Sequence, residues 1–372
     1  MRKFLPFALL LAACAASSAQ SADRIRTREG VELSVTTFVS GLEVPWSIVF
    51  TAPDRMLVSE RPGRIRVVEK GVLAAKPLHV IEDVEERSES GLMGLAVAPD
   101  YTSSRHLYAC YAYDAPSGVE VRIVRWKDEG DRLTGRTMIV DGIPAASNHA
   151  GCRLGFGPDG KLYATTGDAT KRDLAQKMDS LAGKTLRLNP DGTIPADNPF
   201  PKSAIFSIGH RNAQGIDWHP GSGLQFQSEH GPSGFDGPGG GDEVNLVEKG
   251  KNYGWPLVHH KDTAPGTVAP LLEYTPALAP SGLAFLQGGR MASLRGSFVV
   301  AGLRGERLVR VRLDPKDPRK VDFEEDWLRG AYGRFRAVAV GPDGALYVST
   351  SNRDGRGRAR SGDDRILRIE EV

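Results

Sequence analysis

One phrase recurs six times along this chain, and it limits the fold more than any other feature. An apolar strand is followed by a turn rich in Pro, Asp and Gly, then by a second strand. The copies are WSIVFTAPDRMLVSER (46–61), GLAVAPDYTSSRHLYACYAY (94–113), LGFGPDGKLYATTGD (154–168), QGIDWHPGSGLQFQSEHGP (214–232), SGLAFLQGGRMASLRGSFVVAGLR (281–304) and RAVAVGPDGALYVSTSN (336–352). GPDGKLY at 157–163 and GPDGALY at 341–347 are near duplicates. Asp-Gly between alternating apolar residues is a hairpin signal, and the period of two in KLYATT and ALYVST belongs to strands. The copies begin about fifty to seventy residues apart, which fits one four-stranded blade plus its loops. The pattern predicts an all-β fold, a six-bladed β-propeller of four-stranded antiparallel blades around a central channel. A β-sandwich is the rival, but its strands need not recur at blade-sized intervals. Helical periodicity is scarce, with LAQKMDSLAG (174–183) its best candidate. VELSVTTFV (31–39) and RILRIEEV (365–372) read as strands outside the six copies, and are expected to share one blade that joins the chain ends.

The first 22 residues read as an export signal: MRK supplies positive charge, FLPFALLLAA a short apolar run, and small residues follow. The run is too short to span a membrane as a helix. LAAC at 11–14 resembles a lipobox, which would lipidate Cys14; ordinary cleavage within AASSAQSA competes with it. Either route leaves 23–372 as a single exported, periplasmic domain, touching a membrane only through a lipid on Cys14. A net charge of +2 with acids and bases interspersed offers no footprint for nucleic acid or an anionic membrane. Cys110 and Cys152 remain in the mature chain; in an oxidising compartment they pair, or they are two small buried side chains, and spacing does not decide.

Repetition explains the scaffold, so chemistry belongs where the copies differ. Their unlike tails and heads are Gly167-Asp168, Glu229-His230-Gly231-Pro232, Gly302-Leu303-Arg304, Gly209-His210-Arg211-Asn212 and Arg334-Phe335-Arg336, with His149 in a loop of small residues before the third copy. If hairpin turns occupy one face of the propeller, these segments meet at the other. Together with GLEVPWSIVF, SGLMGLAVAPDY, NHAGCRLGFGPDGKLYATTGD, GKTLRLNPDGTIPADNPF, GHRNAQGIDWHP, EHGPSGFDGPGGGDEVN, KNYGWP and GRFRAVAVGPDGALYV, they give the chain a resemblance to a known family. It resembles the soluble pyrroloquinoline quinone (PQQ)-dependent aldose sugar dehydrogenases, the glucose/sorbosone dehydrogenase family, over most of residues 40–350.

The resemblance implies a six-bladed propeller, PQQ and calcium as cofactors, an aldose as substrate and an external electron acceptor. It implies that His149 is the base taking the proton of the anomeric hydroxyl, a task suited to imidazole. Asp168 would orient that ring and stabilise its charged form. Arg211 and Asn212 would contact PQQ, with Arg211 also steadying charge during reduction. Arg334 and Arg336, two apart on a strand and so facing one way, would bind its carboxylates. Arg304 stands where a lysine is often found; it keeps the charge and changes the shape. Glu89 stands where glutamine or glutamate is found, and a carboxylate beside an anionic cofactor requires a cation or a proton. Backbone carbonyls of Gly231 and Pro232 would bind a calcium that also holds PQQ, acting as a Lewis acid. Glu243 and the backbone of Tyr253 match a further calcium site, although GGGDEVN also reads as a solvated acidic turn. KNYGWP reads as a turn with a buried Trp255.

No glycine-rich loop opens a helix to receive a nicotinamide cofactor, and no Cys/His spacing suggests zinc. Two rivals remain: a calcium-dependent propeller lactonase, which needs carboxylates converging on the channel, and a propeller that only binds a protein or glycan. LVHHKDTAPGTVAP after Trp255 is the expected substrate loop, and it has no aromatic residue.

Overall fold

The computed structural model describes residues 23–372. The expected signal segment, with Cys14, lies outside the described residues. Six antiparallel sheets follow one another along the chain. Blade 1 comprises Pro45–Ala52, Arg55–Glu60, Arg64–Glu69 and an outer edge broken into Val72–Leu73 and His79–Val80. Blade 2 comprises Leu92–Val97, His106–Ala115, Gly118–Asp128 and Leu133–Pro144. Blades 3 and 4 open with Leu154–Phe156 and Ala213–Trp218, blades 5 and 6 with Pro280–Phe285 and Phe335–Val340. Each sequence copy is thus the inner hairpin of one blade. The GPDG turns earn their repetition: Asp159 accepts the Lys161 N–H at 3.1 Å and the Tyr163 hydroxyl at 3.0 Å, and Asp343 repeats both bonds with Ala345 and Tyr347.

The ring closes as expected. Glu32–Ser40 pairs antiparallel with Arg365–Glu371 in blade 6, and Asp23–Arg26 adds a fifth strand outside it. Among the described residues helix is confined to short turns, Tyr101–Ser104 and two 3₁₀ segments, of which Arg172–Gln176 is the short turn expected near 174–183.

Because each sheet is covered on both faces by its neighbours, the inner strands are largely buried, and six separate apolar clusters fill the six gaps between blades. Leu57, Ile65, Leu92 and Tyr111 seal blade 1 to blade 2; Phe226, Phe285 and Phe298 seal blade 4 to blade 5. Near the axis the inner strands crowd. A Cβ on Gly215 would lie 2.4 Å from the Ser281 carbonyl of the next blade and 2.3 Å from Ser228 Oγ. Gly215→Ala is therefore expected to lower the unfolding free energy by about 1–3 kcal/mol through overpacking, read from the denaturant midpoint at constant m-value.

Candidate active site

In each blade the first strand runs from one end of the channel to the far turn, and the second strand returns. Residues just before the first strand and just after the second therefore collect at the same end. They wall a cavity of about 340 Å³ to which every blade contributes, among them Arg61, Glu89, His149, Arg211, Arg304 and Arg336.

His149 is buried, and its Nδ1 lies 2.8 Å from Asp168 Oδ1. Asp168 is saturated: Oδ1 also accepts the Thr170 N–H, and Oδ2 accepts the indole N–H of Trp255, both at 2.8 Å. A carboxylate held this way keeps the proton on Nδ1 and leaves Nε2 as the acceptor. The backbone is as constrained as the ring. His149 has φ of 56°, a left-handed conformation that costs a non-glycine residue energy and persists only where the surroundings impose it. Part of the surroundings is Gly167, because a Cβ there would lie 1.8 Å from the His149 carbonyl oxygen. Gly-Asp ends the third copy because the loop of the base lies directly on the glycine.

The wall carries six arginines (61, 211, 304, 334, 336 and 356) and three carboxylates, Glu89, Asp242 and Asp354. Asp354 Oδ2 accepts from Arg334 Nε at 2.8 Å and Arg336 Nη2 at 3.4 Å. Burial, with the like charges of Arg334 and Arg61, pushes the Arg336 guanidinium down to about 10 against the pull of Asp354. Asp242 is spent on the main chain, accepting the N–H groups of Gly231 at 2.8 Å and Ala279 at 2.6 Å. Arg211 is held by Asp236 at 2.8 Å and Ser233 at 3.0 Å. Arg304 is exposed at the rim, with no carboxylate in salt-bridge reach among the described residues. Burial pushes the His230 imidazole down to about 4, and its Nε2 is buried without a partner. Guanidiniums outnumber carboxylates two to one on this wall, so its charge is positive.

Of the residues expected to bind metal, Gly231 and Pro232 lie in the loop following Gln225–Glu229, with Pro232 on the cavity wall. Glu243 and Tyr253 belong to a second, buried cluster. Glu229 and Glu243 are directly opposite across the sheet; burial first, then the Glu229 charge, raises the Glu243 carboxyl well above the usual range. Glu229 also meets His210 Nδ1 at 2.8 Å, His210 stacks on Tyr253, and Asn245 Oδ1 is buried without a partner. Asp168 and Asn212 stand behind the wall rather than on it: Asn212 Oδ1 accepts the Gly151 N–H and its Nδ2 donates to Glu89 Oε2, both at 3.2 Å.

Five participants escaped the sequence reading. Trp255 is buried, as expected, but it is also a partner of Asp168. Asp236 lies within the quoted GPSGFDGPGGG, and its single acid was the available signal. Asp354 and Arg356 follow the second strand of blade 6, the position occupied by Asp168 in blade 3. Phe235, 69% exposed, stacks near His149 from the same loop as Asp236, whereas the sequence drew attention to the loop after Trp255. Cys110 and Cys152 are neighbours with free thiols; Cys110 Sγ donates to the Cys152 carbonyl at 3.0 Å.

A propeller with a His–Asp pair at a cationic channel mouth is the architecture of a cofactor-holding oxidoreductase. The glucose/sorbosone dehydrogenase family model matches residues 42–367, and the chain belongs to that family. The aldose sugar dehydrogenase of Escherichia coli is 32% identical over 348 residues, taking in 87% of this chain and 91% of that protein. The PQQ-bound aldose sugar dehydrogenase of Streptomyces coelicolor superposes with a TM-score of 0.81 at 37% identity, covering 91% of this chain and 98% of that one. Quinoprotein glucose dehydrogenase B of Acinetobacter calcoaceticus is 30% identical over 253 residues, 59% of this chain and 52% of that protein.

Trp255→Phe removes the donor to Asp168 Oδ2 and leaves a buried carboxylate oxygen short of a partner. The expected loss is about 1–3 kcal/mol of stability, measured by denaturant unfolding; an unchanged midpoint would show that water or another donor takes the place of the indole.

Proposed function

We propose that the protein is an exported dehydrogenase that oxidises cyclic aldoses at C1 to lactones with PQQ and calcium, passing electrons to an external acceptor. The observation that carries this reading is the His149–Asp168 pair opening on a wall with six arginines and three carboxylates. PQQ is a tricarboxylate, so its charge suits the surplus. When bound, PQQ would supply the hydride acceptor and calcium the cation that polarises it. Arg211, Arg334, Arg336 and Arg304 would hold the carboxylates, guanidinium matching carboxylate in a two-pronged geometry. Gly231 and Pro232 would offer carbonyl oxygens to calcium. The Glu229–Glu243 pair with Asn245 Oδ1 has the oxygen-rich chemistry of a further calcium site near Tyr253, where a cation would replace the proton the pair otherwise needs.

The protein's part in the reaction is positional and acid–base. His149 Nε2 takes the C1 hydroxyl proton as the C1 hydrogen departs with its electron pair, and Asp168 stabilises the imidazolium that forms. A propeller lactonase needs carboxylates converging on the channel; guanidiniums dominate this wall, which favours the dehydrogenase. The N-terminal signal features support export, with Cys14 a lipidation site if the lipobox reading holds. No described helix is long and apolar enough to cross a membrane.

Purified protein supplied with calcium and PQQ should reduce a dye in the presence of aldoses; no cofactor-dependent signal with any sugar would refute the dehydrogenase. His149→Ala should lower kcat at least ~10²-fold, the lower end of a general base's contribution, while PQQ titration shows unchanged binding. Because a ligand specific to the native state stabilises it by about 2.7 kcal/mol at 100 times its Kd, PQQ at that excess should raise Tm. Arg336→Ala should diminish that rise, and an undiminished rise would remove Arg336 from the cofactor site.

A further inference from the structure

Both oxygens of Glu89 already have protein partners. Its Oε2 accepts the His149 main-chain N–H at 3.3 Å and Asn212 Nδ2 at 3.2 Å, and its Oε1 accepts from Arg356 Nη1. The other terminal nitrogen of Arg356 donates to Asn148 Oδ1 at 3.0 Å and Ser88 Oγ at 3.3 Å, and Ser88 Oγ donates to Asn148 Oδ1 at 2.9 Å. The main chain runs parallel to this contact, with Glu89 N–H donating to the Ser147 carbonyl at 2.9 Å. Arg356 is itself seated by Asp354, whose Oδ1 accepts its N–H at 2.9 Å. One ion pair thus joins three loops: the turn before blade 2, the loop of the base before blade 3, and the loop after the second strand of blade 6.

What the pair holds is the costly part of the site. His149 and its neighbour Asn148 are gripped on both sides, His149 by Glu89 and Asn148 by Arg356, at a residue whose left-handed backbone needs an external restraint. The grip is permanent at working pH. Burial alone would raise the Glu89 carboxyl, but the cationic groups around it, Arg356 among them, outweigh burial and hold it at about 2. The charge of Arg356 does not titrate, and its planar fork is what reaches two loops at once. We infer that Arg356 and Glu89 form a positioning brace that fixes His149 over the substrate, and that Glu89 serves the base rather than the cofactor.

The inference rests on the dehydrogenase reading for its catalytic part, and its test separates the two. In PQQ- and calcium-loaded enzyme, with loaded sites counted by PQQ titration, Arg356→Met and Glu89→Gln should each lower kcat per loaded site by about 10–100-fold, the effect of a misplacement of the order of 1 Å. The KM for glucose and the Kd for PQQ should change less than about threefold, since neither group binds sugar or cofactor. With C1-deuterated glucose the isotope effect on kcat should rise, because hydride transfer from a misaligned site becomes rate-limiting; a merely less folded sample would leave it unchanged. Arg356→Lys should not restore activity, and the double variant should be no worse than either single one. Unchanged kcat per loaded site, or a loss explained wholly by weaker PQQ binding, overturns the brace. Wild-type protein inactive with every aldose would sink the dehydrogenase reading instead. The brace is then judged without turnover, by deuterium exchange at the His149 amide. That exchange should quicken at least tenfold in Arg356→Met while blade 5 is unaffected, and unchanged exchange overturns the proposal.

Discussion

The pairing of Glu32–Ser40 with Arg365–Glu371 is the constraint on which the site depends. Val35 lies directly opposite Ile369 on the paired strands, and with Leu33 and Leu367 they pack in the apolar layer against blade 5, all four within 1% of full burial. A clasp lies where this seam reaches the channel. Asp364 exchanges main-chain bonds with Leu42, and its carboxylate accepts the N–H groups of Val44 at 3.2 Å and Asn352 at 2.6 Å. Asn352 Oδ1 in turn accepts the Arg334 N–H at 2.9 Å. Closing the ring therefore does more than remove two sheet edges. Through Asp364 and Asn352 it sets the strand that presents Arg334 and Arg336, so this part of the cationic wall is fixed by the meeting of the two chain ends.

The gaps between blades are not equivalent. Five carry ten or more buried apolar residues, whereas the gap between blades 3 and 4 has Tyr163, Phe206, Ile216, Val247 and Tyr253. Its remaining space is polar: Thr185, Ser207 and Gln227 hydrogen-bond around His210 and Glu229. Buried polar groups are tolerable only when so satisfied. Such a network is directional where an apolar one is not, and this gap stands between Asp168 on one side and Arg211 on the other. Apolar packing gives way to hydrogen bonds where angular precision is needed.

The scaffold was legible in the sequence because a propeller repeats, and six copies of a hairpin phrase leave few other folds. The site was legible in part, for the complementary reason: His149, Asp168, Arg211 and Arg334 break the repeat. What escaped were residues whose meaning is relational. Asp354 lies two residues past Ser351-Asn352, where the sixth copy ends, and only the loop's fold turns its carboxylate back onto Arg334. Trp255 was foreseen as buried, but its bond to Asp168 spans 87 positions. Neither local propensity nor residue spacing encodes a contact of that range, since it is produced by the ring as a whole.

The manner in which the arginines are tethered explains how a wall this cationic folds before any anion arrives. Arg61, Arg211, Arg334 and Arg336 are each anchored through Nε, to Glu86, Asp236, Asp354 and Ser351 respectively, at 2.8–2.9 Å. Anchoring at Nε neutralises or solvates the inner edge of the guanidinium and fixes its plane. The terminal nitrogens are engaged as well, those of Arg211 by the His230 carbonyl at 3.3 Å and Ser233 Oγ at 3.0 Å, and Arg336 Nη1 by Gln214 Oε1 at 3.3 Å, so each of these forks is held at more than one corner. Glu86, Asp236 and Asp354 lower the cost of burying these charges. Glu89 fits the same pattern, since both its oxygens have protein partners. Carboxylates around this wall help make the cations rigid, and rigidity is what a positioned hydride transfer requires.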